Sequence, residues 1–223
     1  MITVYETERL VKLLRDKNNR QQLNGTNFTL DIPSQVIQLA TTQHPYTGRQ
    51  EPIDIFPRLR KKYIEGKALE SHLQTYVVQN IGRQTNQSLD NCLLDNLRLE
   101  WIGNEVSCGV GMQRIDILLG TLKDATTRIV IPIELKSKNA SPDNIFQLQR
   151  YIDWLEQYYL PNRISDIQPI LVALSPSSRT SYIYGQTING FRKFNTDNPR
   201  CLPLKYIEYQ IGDGTLTFSV VPY

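Results

Sequence analysis

Apolar residues recur along this chain at two periods, and the switches between them mark its elements. From Gly66 to Gly82 (GKALESHLQTYVVQNIG), Leu69, Leu73, Tyr76, Val77 and Ile81 return at the helical period, and Gly82 stands where a helix stops. Three Ile-, Val- and Leu-rich segments follow: LRLEWIGNEV, RIDILLG and TRIVIPIELKSK. They read as strands, the last two joined by the turn GTLKDATT. SPDNIFQLQRYIDWLEQYYLP returns to the helical period through Ile145, Leu148, Ile152, Leu155 and Tyr159. Ser141 suits its cap, Pro142 its first position, and Pro161 its end. QPILVALSP is a continuous apolar run that predicts a strand covered on both faces. KYIEYQI, GDG and TLTFSVV predict a hairpin near the C-terminus.

Toward the N-terminus, Val4, Leu10, Leu13 and Leu14 predict a helix over residues 3–17. Residues 25–62 and 176–203 follow neither period and read as irregular. The order of helix, three strands, helix and strand predicts an α/β fold, a central mixed β-sheet flanked by helices.

Composition narrows the class without choosing a function. The 223 residues are 40% hydrophobic and 21% charged, which suffices for one sizeable core. No apolar run approaches the ~20 residues that span a bilayer, and no signal-peptide core follows the start, so a cytoplasmic protein with no membrane partner is expected. Cys92, Cys108 and Cys201 are unpaired in number and spacing, which predicts buried free thiols rather than a disulfide or zinc framework. Two histidines leave little for a histidine-rich metal site. The net charge of +3 permits a nucleic-acid partner without requiring one. Locally, RLRKKY sets Arg58, Arg60, Lys61 and Lys62 beside Tyr63, and RYIDW and FRKF repeat the mixture. Cations beside rings suit phosphate contact and base stacking, and equally a solvated face.

The chemistry lies where charge interrupts buried strands. Glu134 and Lys136 are two apart and share one strand face, and a hairpin brings Asp116 beside Glu134. Unpaired buried carboxylates cost several kcal/mol. A hard divalent cation removes that cost, since Mg²⁺ takes one or two carboxylates and fills its shell with water and phosphate oxygens. On the helix after this strand, Gln147 and Tyr151 are four apart and share a face.

Asp116 followed by Glu134-Leu135-Lys136 resembles the PD-(D/E)XK nuclease superfamily, with Ile115 where the motif's name has proline. Glu70 on the upstream helix and Gln147-Leu148-Gln149-Arg150-Tyr151 downstream match its acidic position and its Q-x-x-x-Y motif. The likeness covers the middle third of the chain and is closest to NucS-type endonuclease domains and some type II restriction endonucleases. It implies a restriction-endonuclease-like core over residues 63–223 with a C-terminal extension. Residues 1–62 carry no such likeness, and their helix and irregular segment are expected to form an arm for DNA recognition or dimerisation.

It further implies Mg²⁺-dependent hydrolysis, with Mn²⁺ as substitute. Asp116, Glu134 and the Leu135 carbonyl would be ligands, and Glu70 would bind coordinated water or a second ion. Lys136 would orient the attacking water, and Gln147, Tyr151 and Arg114 would contact substrate. Alanine at Asp116, Glu134 or Lys136 is then expected to abolish cleavage with the fold kept. Double-stranded DNA is the expected partner, cut by a homodimer in a restriction-modification setting, the segments 41–50 and 175–193 supplying base-reading side chains. A mismatch- or structure-directed repair nuclease is the alternative, with Tyr63, Tyr76 and Tyr182 as stacking wedges and a core position the plainer reading of each. A non-catalytic DNA-binding module of the same fold is the third.

Overall fold

The computed structural model describes residues 12–13, 28–31, 34, 36–39, 54–109, 113–124, 127–159 and 165–223. The chain divides into two compact units, residues 1–53 and 54–223. In the first, Lys12 and Leu13 are helical, while the rest of the helix expected over 3–17 lies outside the described residues. Strand β1 (Phe28–Asp31) pairs antiparallel with β2 (Val36–Leu39), Phe28 opposite Leu39. This hairpin corrects the irregular reading of residues 25–62, since four-residue strands are too short to establish a period. Helix α1 (Phe56–Ile64) corrects it further and belongs to the second unit. Pro57 in its first turn sets the backbone angle, the Asp54 carboxylate accepts the Phe56 N–H at 3.0 Å, and the turn buries Phe56 and Leu59.

The second unit is built on a seven-stranded mixed sheet in the order β3-β4-β5-β7-β8-β9, with β6 beside the first half of β5. Strands β3 (Arg98–Ser107), β4 (Arg114–Leu122) and β5 (Arg128–Lys136) run antiparallel. β6 (Ser165–Ile167) and β7 (Ile170–Leu174) both lie parallel to β5, along Arg128–Val130 and Ile133–Lys136 respectively. β8 (Lys205–Ile211) is parallel to β7 and forms the expected hairpin with β9 (Leu216–Val220).

Both faces of the sheet are covered. Ile129, Ile131, Ile133 and Leu135 of β5 and Ile170 and Val172 of β7 pack with α1, α2 (Glu70–Asn80) and α3 (Gln87–Leu93). Val130, Leu171 and Ala173 pack on the other face with α4 (Asn144–Trp154) and α5 (Tyr182–Asp197). Each such Ile or Leu removed from water contributes about 1.5–3 kcal/mol, which is why β5 and β7 carry apolar residues at successive positions.

Helix ends follow local chemistry. After α2, Gly82 takes φ +72°, and its N–H donates to the Asp90 carboxylate at 2.7 Å. Asn86 caps α3 by accepting the Leu89 N–H at 3.0 Å. Helix α4 begins at Asn144 rather than Pro142, because the Asn144 side chain turns back to accept the Ser141 N–H at 2.8 Å. It runs into a π-helical turn, Leu155–Tyr159, and Pro161 lies outside the described residues.

Helix α5 corrects the irregular reading of 176–203. Gly185, Gly190 and the β-branched Ile183, Thr187 and Ile188 weaken its helical propensity, yet Thr187, Ile188, Phe191 and Phe194 form a buried face. Ser181 caps it, accepting the Tyr184 N–H at 3.2 Å. Among the described residues no helix is long and apolar enough to cross a membrane. The cysteines are free thiols as expected, Cys92 and Cys108 buried and Cys201 half-buried.

Candidate active site

The antiparallel ladder between β4 and β5 ends at the pair Ile117 and Ile133, and the next residues on each strand are Asp116 and Glu134. Where the ladder stops, the Asp116 carboxylate takes its place: Oδ2 accepts the Leu135 N–H at 2.8 Å. The Asp116 carbonyl accepts from the Gln74 amide at 2.7 Å, and the same amide donates to Glu105 Oε1 at 3.0 Å. Glu105 lies on β3 between the paired residues Asn104 and Val106 and has φ +49°, a conformation costly for a residue with a Cβ. Alternation breaks with it. Ile117 packs on the α1–α3 face, whereas Ile115, two residues away, packs on the α4–α5 face. The strand therefore twists at Asp116.

Glu134 is 1% exposed, and each of its oxygens has a partner. Its Oε1 lies 2.5 Å from the Lys136 ammonium, and its Oε2 accepts from the Tyr151 hydroxyl at 2.5 Å. Tyr151, buried on α4, also lies 2.8 Å from the Arg114 carbonyl. From α2 on the opposite face, Glu70 reaches Lys136 at 3.7 Å. A small charged group thus sits at the sheet edge between two helical layers, near the C-terminal ends of the parallel strands, where α/β sheets place their sites.

The electrostatics show how crowded it is. Burial, and then the charge of Glu134, push the Asp116 carboxyl up to about 7, against the pull of the Leu135 N–H and Lys136. Burial opposes charge on Lys136, but the hydrogen bond and charge of Glu134, with Glu70 and Asp116, hold its ammonium above the ordinary range. Burial and the adjacent Glu134 raise Tyr151 well above its ordinary range, so its hydroxyl stays a donor.

Of the residues singled out from sequence, Asp116, Glu134, Lys136, Glu70 and Tyr151 come together. Gln147 is half-buried one turn before Tyr151, and its side chain makes no hydrogen bond among the described residues. The Arg114 guanidinium turns to Glu105 at 3.4 Å, and only its carbonyl meets the group. Gln74 and Glu105 escaped the sequence reading. The signal for Gln74 is its place one turn after Glu70 on the same helix. The left-handed Glu105 has no sequence signal.

Tyr76 is core as expected, whereas Tyr63 and Tyr182 are exposed, which corrects the core reading for both. Two concavities, of about 520 Å³ beside Phe56, Arg60 and Asp213 and about 340 Å³ beside Asn96, Lys123 and Gln168, take in none of these carboxylates. Among the described residues no three His, Cys, Asp or Glu side chains cluster to hold a metal ion. Compared with family models, curated proteins and solved structures, the chain matches none.

The Tyr151 hydroxyl can be tested alone. Tyr151→Phe keeps the ring and removes the donor from a buried carboxylate, so stability is expected to fall by about 1–3 kcal/mol in a urea titration. An unchanged midpoint would mean that this contact holds nothing.

Proposed function

We propose that the chain is a Mg²⁺-dependent endonuclease of the PD-(D/E)XK kind with a restriction-endonuclease-like core, hydrolysing phosphodiester bonds of double-stranded DNA at a specific site. The observation that carries this reading is the meeting of Asp116, Glu134 and Lys136 at the point where β4 and β5 part. Burial, and then the charge of Glu134, raise the proton affinity of Asp116, and a divalent cation is the natural relief.

The donor set suits a hard ion. Asp116 spends one oxygen on the Leu135 N–H and keeps the other. In an extended strand the Leu135 carbonyl faces the same side as its N–H. Asp116, Glu134 and that carbonyl would hold Mg²⁺ or Mn²⁺ with waters completing the shell, so three acidic side chains are not needed. When bound there, the ion supplies a Lewis acid that draws charge from the scissile phosphate and acidifies a water.

The chain's own residues do the rest. Lys136 keeps its proton, so it acts as a donor that orients the attacking water and meets the negative charge growing on the phosphoryl oxygens. Glu70 steers that ammonium from the α2 side. Tyr151 fixes Glu134, and Gln74 fixes the backbone at Asp116. Cutting both strands of a palindromic site would take a two-fold homodimer.

Incubating the purified protein with supercoiled plasmid and Mg²⁺ is the test. Discrete linear fragments that vanish in EDTA are expected; intact plasmid on every sequence tried would end the reading. The exposed Tyr182 favours a second reading, a nuclease directed to mismatched or branched DNA, which would cut only such oligonucleotides.

A further inference from the structure

Strands β5, β7 and β8 place Lys136, Ala173 and Glu208 in one lateral row. Neighbouring strands are about 4.8 Å apart, so Glu208 lies roughly 10 Å from Lys136. Tyr206, two residues before it, packs with α4 and α5, so Glu208 projects on the Tyr151 side of the sheet. Glu208 is a second buried carboxylate, 1% exposed. Its Oε2 accepts from Ser175 Oγ at 3.0 Å and from Arg179 Nη2 at 2.6 Å, while Oε1 has no hydrogen-bond partner among the described residues. Burial, and then the Glu208 charge, hold the Tyr184 hydroxyl protonated beside it.

The Arg179 side chain is 57% exposed, although its anchor is not. Burying a carboxylate to pair an exposed guanidinium is a poor route to stability, because the desolvation cost falls on one partner and water screens the gain. It is an effective way to aim a cation. Among the described residues the guanidinium makes one hydrogen bond, to Glu208, out of its five N–H donors. Beside Arg179 stand the hydroxyls of Ser178 and Thr180 and the first turn of α5, where Tyr182 is 78% exposed and Ile183 is 64% exposed. The Tyr182 hydroxyl accepts from the Gln186 amide at 2.7 Å, which tethers the ring with its face open.

We propose that the loop from Ser175 to Tyr182 is the grip on the nucleic-acid backbone. Arg179, positioned by Glu208, binds a phosphate within a few nucleotides of the one at Lys136, and Tyr182 stacks on a neighbouring base. This rests on the endonuclease reading for the choice of duplex DNA as ligand. Fixed cation, hydroxyl donors and an open aromatic face are the parts such a grip requires.

Binding of a labelled duplex of about 30 base pairs, followed by fluorescence anisotropy in EDTA between about 50 and 200 mM salt, tests the grip apart from cleavage. Arg179→Ala is expected to reduce the slope of log K against log salt by about 0.9, one phosphate contact. Arg179→Lys restores the slope while binding more weakly than the native protein. Glu208→Gln in a protein that still melts cooperatively lowers affinity, and adds nothing when combined with Arg179→Ala. Tyr182→Ala weakens binding about tenfold at every salt concentration with the slope unchanged.

A native slope in Arg179→Ala with native affinity in Tyr182→Ala overturns the grip, as does a native protein that binds no duplex at any of these salt concentrations. Plasmid cleavage by the native protein would then still uphold the endonuclease reading. Conversely, the expected slope changes in a protein that never cuts would sustain the grip and reject the hydrolysis.

Discussion

Lys136→Ala is expected to slow Mg²⁺-dependent cleavage by about 10³-fold and to lower stability by roughly 3 kcal/mol. On the proposed mechanism, the kinetic loss follows from removing the ammonium that would meet charge on the transferring phosphate. The stability loss comes from the partner left behind. Glu134 is buried with Lys136 on one oxygen and Tyr151 on the other, so deleting the ammonium strands a carboxylate away from water.

The two effects separate in the double substitution Glu134→Gln with Lys136→Met. A neutral pair of similar volume should regain most of the lost stability while cleavage stays absent, because buried ion pairs are poor stabilisers compared with apolar replacements. Initial rates of plasmid nicking and urea midpoints measured on the same preparations check both. Native cleavage by Lys136→Ala would remove the mechanism.

The second large effect is a dependence of stability on pH. An aspartate in an unfolded chain titrates near 3.9, whereas Asp116 in the fold titrates at about 7. Between these values the folded protein keeps a proton that the unfolded chain has lost. Each rise in pH across that window therefore favours unfolding. Without divalent ions, stability should fall by roughly 3–4 kcal/mol from pH 4 to pH 7 through this group, then level off above it. Burial contributes most to the change; Glu134 and Glu70 also oppose its ionisation, while the Leu135 N–H and Lys136 support it.

Asp116→Asn should abolish most of the slope and be more stable than the native protein at pH 8 in EDTA. Mg²⁺ should stabilise the native protein more at pH 8 than at pH 5 and leave Asp116→Asn nearly unmoved. Thermal unfolding across these pH values, with and without the ion, reads all of this directly. A flat native profile would mean that the fold does not hold the Asp116 proton.

Much of this arrangement is legible in the chain because buried strands punish charge. Glu134 and Lys136 stand out in RIVIPIELK since both faces of that strand are apolar, and Tyr151 follows from helical spacing once the strand is recognised. The same logic reaches Glu208 in KYIEYQI, where Tyr206, Glu208 and Gln210 share a face, but only if the last parallel strand is taken to be covered on both sides. Helix α5 is hidden by two glycines and β-branched residues, which tertiary packing of Phe191 and Phe194 overrides. Gln74 and Glu105 meet only where α2 lies against β3 and β4, which neither segment reveals on its own. The orientation of Arg114 likewise depends on its cross-strand neighbour.

The group around Glu134 draws side chains from β4, β5, α2 and α4, and apart from the Glu134–Lys136 pair its contacts join segments far apart in the chain. Such non-local contacts form late, after loop closure has been paid across the intervening segments. Glu70 leaves the ribosome well before Tyr151, so a nascent chain carries the acidic residues without the hydroxyl that aligns them. If the proposed hydrolysis is right, competence would switch on only after Tyr151 has joined the folded group, and a chain interrupted before it would be inert toward the nucleic acid around it.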